Sequence, residues 1–196
     1  MPHPIDILQK MLRLDNVQIK KFKDLMIEEH MSRGSLIDNR NILQSNAYYI
    51  KKGAARVFYI KDGKEHTVSF AFDDEYIITE PVVKYVDISL SIVFLEDTDI
   101  IYMSKSKIHG IINDISEVPT MESILFANTS LSQYNKYLEE RIFVFQSMSA
   151  TERYQWAITR YPRLVECATL TQIASFLGIT KETIYRIRSG KYIKTH

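Results

Sequence analysis

The spacing of the apolar residues changes twice along this chain of 196 residues. Residues 5–29 carry apolar side chains at helical intervals, which predicts helix there. Between about residues 30 and 103, apolar and polar residues alternate, as they do in strands with one buried face. After Pro119 the helical interval returns. This order constrains the fold most, because it predicts an α+β chain in which an antiparallel β region lies between helices.

A β-hairpin is the clearest signal within the alternating region. Residues 55–60 are β-branched and aromatic, residues 66–72 alternate, and Asp62-Gly63 between them is typical of hairpin turns. The alternation predicts two faces for the return strand, with His66, Val68, Phe70 and Phe72 on one and Thr67, Ser69 and Ala71 on the other. Further alternation over residues 88–95 and 100–103 predicts an antiparallel sandwich or jelly roll.

Charge is unevenly distributed, although the formal net charge is only +1. Residues 148–196 contain eight basic and three acidic side chains, so the remaining residues are acidic overall. A basic segment attached to a mildly acidic body indicates a module that binds a polyanion. A chance cluster is the alternative at this point.

Several classes of protein are excluded by what the sequence lacks. Cys167 is the single cysteine, which rules out an internal disulfide and a cysteine-ligated metal or iron–sulfur site. No apolar run is long enough for a membrane helix and no secretory signal is visible, so we expect a cytoplasmic protein. The five histidines lack metal-ligand spacing, and no catalytic motif occurs. The sequence therefore predicts neither an enzyme nor a metal or cofactor site.

The helical segment after Pro119 has a seven-residue repeat that lasts about four heptads. Two rows form this seam: Ile124, Leu131, Leu138 and Phe145 in one, and Met121, Asn128, Asn135 and Ile142 in the other. The two asparagines would be costly inside a monomer core but are familiar in two-stranded coiled coils, where paired amides fix the register. The spacing favours a homodimer seam, and a long helix packed only on its own β domain is the alternative.

The last fifty residues predict three helices with defined ends. Ser149 and Thr169 each have a Glu or Gln three positions later, which is the spacing of a capping box. Gly178 is free to take a positive φ angle and end the second of these helices. Thr180 can then cap a third helix that runs to about residue 188.

Residues 170–188 have the pattern of a helix-turn-helix, in which Ala174 is small where two helices cross and Gly178 lies in the turn. Apolar faces that join the helices come from Ile173, Leu177, Ile179, Ile184 and Ile187. The outer face of the second helix is left with Lys181, Glu182, Tyr185, Arg186 and Ser189. Because basic side chains pair with guanine and glutamate accepts from cytosine, this face suits the major groove of DNA. A plain αα-hairpin with a solvated charged face is the alternative.

The order of these parts resembles the Crp/Fnr family of transcription regulators. Residues 53–65, GAARVFYIKDGKE, are similar to that family's sensor domain, and residues 180–186 are similar to its recognition helix, where an R-E-T-V-x-R pattern is common. The resemblance implies an α+β fold with a cyclic-nucleotide-binding-like antiparallel β jelly roll, a long dimerisation helix and a C-terminal winged helix-turn-helix. The implied domains are residues 1–118, 119–146 and 147–196, and the wing is predicted to be truncated because only eight residues follow Arg188.

The resemblance also implies the contacts to DNA. Lys181, Glu182 and Arg186 would read bases, although lysine at the place of the usual arginine lacks the bidentate fork. Phosphate contacts would come from Thr171, Thr180, Thr183, Arg188 and Lys191. The implied partners are double-stranded DNA, a second copy of the chain, RNA polymerase and a small-molecule effector.

The sensor region departs from the family pattern. In cyclic-nucleotide-binding members the phosphate-binding cassette starts with Gly-Glu and ends with Arg-Ser/Thr-Ala, whereas here the first pair is Asp74-Glu75 and no arginine occurs from residue 57 to 140. A candidate effector pocket involves Phe72, Asp74 and Glu75. We expect it not to bind cyclic AMP, because carboxylates repel phosphate and favour a neutral or cationic ligand. The alternative function is a small-molecule or protein-interaction β domain with only weak, non-specific DNA binding.

Overall fold

The computed structural model describes residues 15–77, 89–115 and 121–190. The elements follow in this order: α1 Asn16–Leu25, β1 Ile27–Met31, β2 Leu36–Ile37, α2 Arg40–Ser45, β3 Asn46–Lys52, β4 Ala55–Lys61, β5 Lys64–Ala71, β6 Glu75–Ile77, β7 Leu90–Phe94, β8 Thr98–Ser104, α3 Lys105–Ile115, α4 Met121–Ser147, α5 Ala150–Arg160, α6 Leu164–Cys167, α7 Leu170–Leu177 and α8 Lys181–Arg188.

The described strands form two four-stranded antiparallel sheets, in the orders β1-β8-β3-β6 and β2-β7-β4-β5. Ile50 and Ile100 from the first sheet are buried against Val57 and Ile92 from the second. Two such sheets around one apolar core form a jelly-roll arrangement. The predicted α+β fold with an antiparallel β jelly roll is therefore confirmed.

The first described helix is shorter than predicted. The capping box of Asp15 and Gln18 opens α1, which ends at Leu25 and not at residue 29. The next residues form β1, which pairs with β8 and places Ile27 opposite Tyr102. Because β1 is an edge strand whose first four side chains are exposed, no apolar alternation marks it in the sequence. Residues 5–14 of the predicted helix lie outside the described residues.

The hairpin between β4 and β5 is confirmed. Lys61 pairs with Lys64 across the turn. Asp62 and Gly63 both have positive φ angles, 52° and 71°, as a type I′ turn requires. The twist of this turn matches the twist of the two strands, and β5 becomes the edge of its sheet.

The single face predicted for the even-numbered residues of β5 is wrong, because a β-bulge occurs at Val68. Two successive residues of β4 pair with Ser69 and Thr67, so Val68 has no opposite residue. The extra residue reverses the alternation, and Val68 packs toward the core between the sheets. Phe70 and Phe72 lie on the other side, where they contact the C-terminal helices.

The C-terminal helices share a second apolar core with the β domain. From the β domain it contains Ala54, Phe70, Phe72 and Leu95, and from the helices it contains Tyr154, Ala157, Tyr161, Leu164, Ile173, Ala174, Phe176, Leu177 and Ile184. The ring of Phe176 meets that of Phe70 edge to face at 5.2 Å. The ring centroids of Phe72 and Tyr161 are 5.9 Å apart. The helix-turn-helix is thus packed directly on the jelly roll.

Candidate nucleic-acid interface

The predicted caps of the helix-turn-helix are confirmed. Thr169 accepts from the N–H of Gln172 at the start of α7, and the Gln172 side chain returns a bond to the Thr169 N–H at 2.9 Å. At the other end Gly178 has a φ angle of 63°, and the N–H of Ile179 donates to the Ala174 carbonyl at 3.1 Å. This is a Schellman motif, which needs a residue in the left-handed region. A Cβ at position 178 would also meet the ring of Phe145 at 3.0 Å, so glycine fits on both grounds.

The two helices of the motif are held together by the predicted apolar face. Ile173, Leu177 and Ile184 are fully buried, and Ala174 is buried at the crossing. Ile179 and Ile187 pack against the same cluster while remaining partly exposed. Because these contacts fix the inner face of α8, the opposite face of the helix is the one exposed to solvent.

The outer face of α8 presents all three predicted base-reading side chains to solvent. Lys181, Glu182 and Arg186 are exposed, and so is Tyr185 between them. Arg186 also donates from Nη2 to the Thr183 hydroxyl at 3.4 Å. Glu182 and Arg186 are four residues apart, so they lie one above the other on the helix and can address neighbouring base pairs.

Of the predicted phosphate-contact residues, two are exposed at helix N-termini and two make contacts within the chain. Thr171 and Thr180 are exposed at the N-terminal ends of α7 and α8, where backbone N–H groups and the helix dipole favour anions. Thr183 is half-buried and takes part in the cap, because the Thr180 hydroxyl accepts from its N–H at 3.2 Å. Arg188 donates from Nε to the Tyr154 hydroxyl at 2.8 Å, so α5 orients it. Lys191 lies outside the described residues.

The predicted dimer seam lies on α4, an uninterrupted helix of 27 residues. The seam residues whose side chains are described are exposed or half-buried in the single chain: Met121, Asn128, Asn135, Leu138, Ile142 and Phe145. The side chains of Ile124 and Leu131 lie outside the described set. Phe145 also contacts its own chain, because Arg141 and Arg153 lie over its ring at 4.6 and 5.3 Å. The adjacent Phe143, which the heptad pattern did not include, is 57% exposed.

The residues of the candidate effector pocket have partners within the chain. Phe72 is buried against Tyr161. The Tyr49 hydroxyl donates to Asp74 at 2.8 Å, which holds the pKa of that carboxyl below its usual range. Glu75 accepts from the N–H of Phe72 at 3.0 Å, and burial raises the pKa of Glu75. These three residues shape a turn and its packing.

Arg163, which the sequence analysis did not single out, ties the C-terminal helices to three turns of the β domain. It donates to Asp73 at 2.7 Å, to Glu96, and to the carbonyl of Gly53 at 3.4 Å. Burial alone would lower its pKa, but the hydrogen bond to Glu96 and the charges of Asp73 and Glu96 raise it. One arginine therefore joins the loops β3–β4, β5–β6 and β7–β8.

Ser175 covers the edge of β5. Its hydroxyl accepts from the N–H of Thr67 at 2.9 Å and donates to the carbonyl of Glu65 at 3.2 Å. Arg56 binds the side chains of the same two residues: its Nε donates to the Thr67 hydroxyl and its Nη2 donates to the Glu65 carboxylate. An exposed strand edge carries unpaired backbone groups, and α7 satisfies two of them here. Only the three-dimensional packing brings residues so distant in sequence together.

Solved structures with a similar arrangement of helices and strands identify the fold of this chain. No protein-family model and no curated protein matches the sequence. A putative transcriptional regulator of the Crp/Fnr family from Eubacterium rectale matches in structure with a TM-score of 0.66 at 19% identity, covering 95% of this chain and 88% of that one. FixK2 from Bradyrhizobium japonicum gives 0.62 at 16% identity, with 84% and 83% covered. CLP from Xanthomonas campestris, a c-di-GMP responsive global regulator, gives 0.59 at 14% identity, with 90% and 91% covered.

These similarities show that the chain has the Crp/Fnr fold. The Eubacterium rectale neighbour is a putative transcriptional regulator, and CLP is a global regulator that links cell-cell signaling to virulence gene expression. Among the residues that the structure describes, no three His, Cys, Asp or Glu side chains are grouped as metal ligands. Nor does any helix in the described ranges combine the length and apolar character needed to cross a membrane.

Proposed function

We propose that this protein is a homodimeric, sequence-specific DNA-binding transcription regulator of the Crp/Fnr type. One observation carries the proposal: Lys181, Glu182 and Arg186 are exposed together on α8, whose opposite side is fixed by the buried Ile184. The N-terminal part of such a second helix is what a helix-turn-helix places in the major groove. The basic charge of residues 148–196 and the shared fold agree with it.

In this proposal the three exposed side chains have different tasks. Arg186 pairs with guanine through its two-pronged guanidinium, and Glu182 accepts from a neighbouring cytosine. Lys181 offers a single charged group and is therefore less selective. Each half-site is expected to contain adjacent G·C pairs.

Phosphate contacts position the helix. Thr171 and Thr180 lie at two helix N-termini, and Thr183 stands beside Thr180. Arg188 at the end of α8 and Lys191, three residues further along the sequence, add positive charge. Contacts of this kind fix the register on DNA without carrying sequence information.

The proposed division of the chain assigns residues 1–118 to a sensor domain, 119–146 to dimerisation and 147–196 to DNA binding. A parallel pairing of α4 through the seam would give the two recognition helices a two-fold axis.

Leu138→Asp would bury charge in that seam and yield monomers by light scattering, whereas Lys136→Asp at an exposed position of the same helix would leave a dimer. RNA polymerase is the proposed downstream partner.

The proposed sensor does not respond to cyclic AMP. Asp73 accepts from the N–H of Gly53 at 2.6 Å, Asp74 accepts from Tyr49, and Glu75 accepts from the N–H of Phe72. A phosphate at this turn would meet three carboxylates, and Arg163, which lies beside Asp73, already donates to Asp73 and Glu96. An effector, if one is used, is proposed to be neutral or cationic. Calorimetry that detects micromolar binding of cyclic AMP would contradict this part of the proposal.

A competition titration tests the central proposal. Duplexes selected from a random pool are bound at several salt concentrations in the presence of unrelated competitor DNA. A sequence-specific regulator keeps its selected duplex at competitor excesses of about a thousandfold. Binding that competitor DNA removes in proportion to its concentration would instead support a β domain with a non-specific basic tail.

A further inference from the structure

Arg141 connects the long helix α4 with the first helix of the helix-turn-helix. It lies near the C-terminal end of α4, and its Nη2 donates to the carbonyl of Phe176 in α7 at 3.1 Å. Its guanidinium lies over the ring of Phe176 at 4.0 Å and over that of Trp156 in α5 at 5.6 Å. The adjacent Glu140 accepts from Trp156 Nε1 at 2.7 Å. Two consecutive residues of α4 thus hold two different helices of the C-terminal part.

This arginine is placed at a cost to stability. Its Nη1 is buried and has no hydrogen-bond partner among the described residues. A carboxylate within ion-pair distance is also missing from that part of the chain. A buried donor without an acceptor costs free energy, and an apolar side chain of similar size is often no worse than a buried charge. A residue that violates packing rules in this way is typical of functional positions.

Arg153 of α5 makes a second set of contacts where α4, α5 and α7 meet. From α5 it donates to the carbonyl of Leu177 at 3.3 Å, to that of Phe145 at 2.7 Å and to that of Met148 at 3.0 Å. Arg141 and Arg153 therefore bind the carbonyls of Phe176 and Leu177 at the end of α7, and Arg153 also binds that of Phe145 near the end of α4. Cations at helix C-termini are favoured by the helix dipole. Both guanidinium groups lie over the ring of Phe145, at 4.6 and 5.3 Å from its centroid.

We propose that Arg141 is a positioning residue: it fixes the angle between α4 and the helix-turn-helix and so sets which distance between DNA half-sites the dimer accepts. This inference rests on the proposed function. In a two-fold dimer the recognition helices must lie about one DNA turn, or a multiple of it, apart. The contacts of Arg141 involve the backbone of α7 and three rings, and they leave the outer face of α8 untouched. Its removal should therefore alter spacing and leave base reading within a half-site unchanged.

The test compares Arg141→Met with the matched control Lys136→Met, an exposed position on the same helix. Affinities are measured on palindromic duplexes that differ only in the separation of the half-sites, one base pair at a time. We expect the preference of the wild type for its best spacing over the next to fall about tenfold in Arg141→Met, which is what one charge-assisted hydrogen bond is worth. The control should keep the wild-type profile, and both variants should select the same half-site sequence.

A distance measurement separates failure of this inference from failure of the proposed function. Gln155 is exposed on α5, so Gln155→Cys in a Cys167→Ala background carries one spin label per chain. In the dimer we expect Arg141→Met to broaden the label-to-label distance distribution while the melting temperature is unchanged or higher. If Arg141→Met does not fold, Arg141→Lys carries the same test, because lysine lacks the planar fork. A distribution as narrow as that of the wild type would overturn the inference, whether or not the wild type binds specific DNA.

Discussion

The arginines of the C-terminal part face two different surfaces. On the outer face of α8, Arg186 is exposed beside Lys181 and Glu182. The other arginines are bound to the chain itself: Arg163 holds two carboxylates and one carbonyl in three turns, and Arg153 holds carbonyls at two helix ends. The first surface leaves its charged groups exposed to solvent, and the second uses charge to fix its own geometry.

Only part of the basic excess in residues 148–196 is available to an external polyanion. The count of eight basic side chains treats all of them as available to a polyanion. Arg153 and Arg163 instead donate to carbonyl and carboxylate groups within the protein. The basic surface that the proposed DNA binding would use is therefore smaller than the net charge suggests, and it is concentrated around α8.

The largest expected difference between the two surfaces concerns aromatic side chains. Phe176 is fully buried and contacts Phe70, Trp156 and Tyr161. Phe176→Ala should lower the free energy of unfolding by about 3–5 kcal/mol. Tyr185→Ala, on the outer face, should change it by less than about 0.5 kcal/mol. Chemical denaturation measures both, and equal losses would show that the two faces are not distinct.

Removing the connection between the β domain and the helices should have a smaller effect. Arg163→Ala leaves Asp73 and Glu96 without their cation and should cost about 1–2 kcal/mol of stability, since the ion pairs are partly exposed. The loss should shrink at high salt, because screening already weakens these pairs. Lys181→Ala is the control on the outer face and should leave unfolding unchanged. An Arg163→Ala protein as stable as the wild type would mean that apolar packing alone holds the domains together.

The smallest expected effect concerns Arg188, which shares features of both surfaces. It is exposed, yet it donates to the Tyr154 hydroxyl. As a phosphate contact, Arg188→Ala should reduce the slope of log affinity against log salt by about 0.9. Tyr154→Phe removes the hydroxyl acceptor and keeps the charge, so it should leave that slope unchanged. If Arg188→Ala does not alter the slope, Arg188 belongs to the inner set with Arg163.

Local signals in the sequence predicted the C-terminal helices well. Ser149, Thr169, Gly178 and Thr180 act through neighbours three or four residues away, so their structural effect is visible in the sequence. The outer face of α8 followed from the same helical spacing. Its role in reading DNA, like the seam on α4, remains a prediction.

Contacts between distant segments were not predictable in this way. The bulge at Val68 depends on how β4 pairs with β5, and it turns Phe70 toward the helices. Ser175 lies more than one hundred residues from its partners on β5. The strand β1 escaped prediction because pairing with β8, and not burial of its side chains, holds it in place. Such features depend on tertiary packing, which one sequence does not encode as a local pattern.

Selection from randomised duplexes is the most direct test that the outer face of α8 reads DNA. The wild type, Arg186→Ala and the inner-surface variant Arg163→Ala are selected in parallel, after thermal unfolding has shown that each is folded. We predict a two-fold motif with adjacent G·C pairs for the wild type, loss of preference at one position of each half-site in Arg186→Ala, and an unchanged half-site in Arg163→Ala. The lost contact should be worth about 1–3 kcal/mol at that position. If the wild type and Arg186→Ala enrich the same motif equally well, α8 is not the reading helix and the account is wrong.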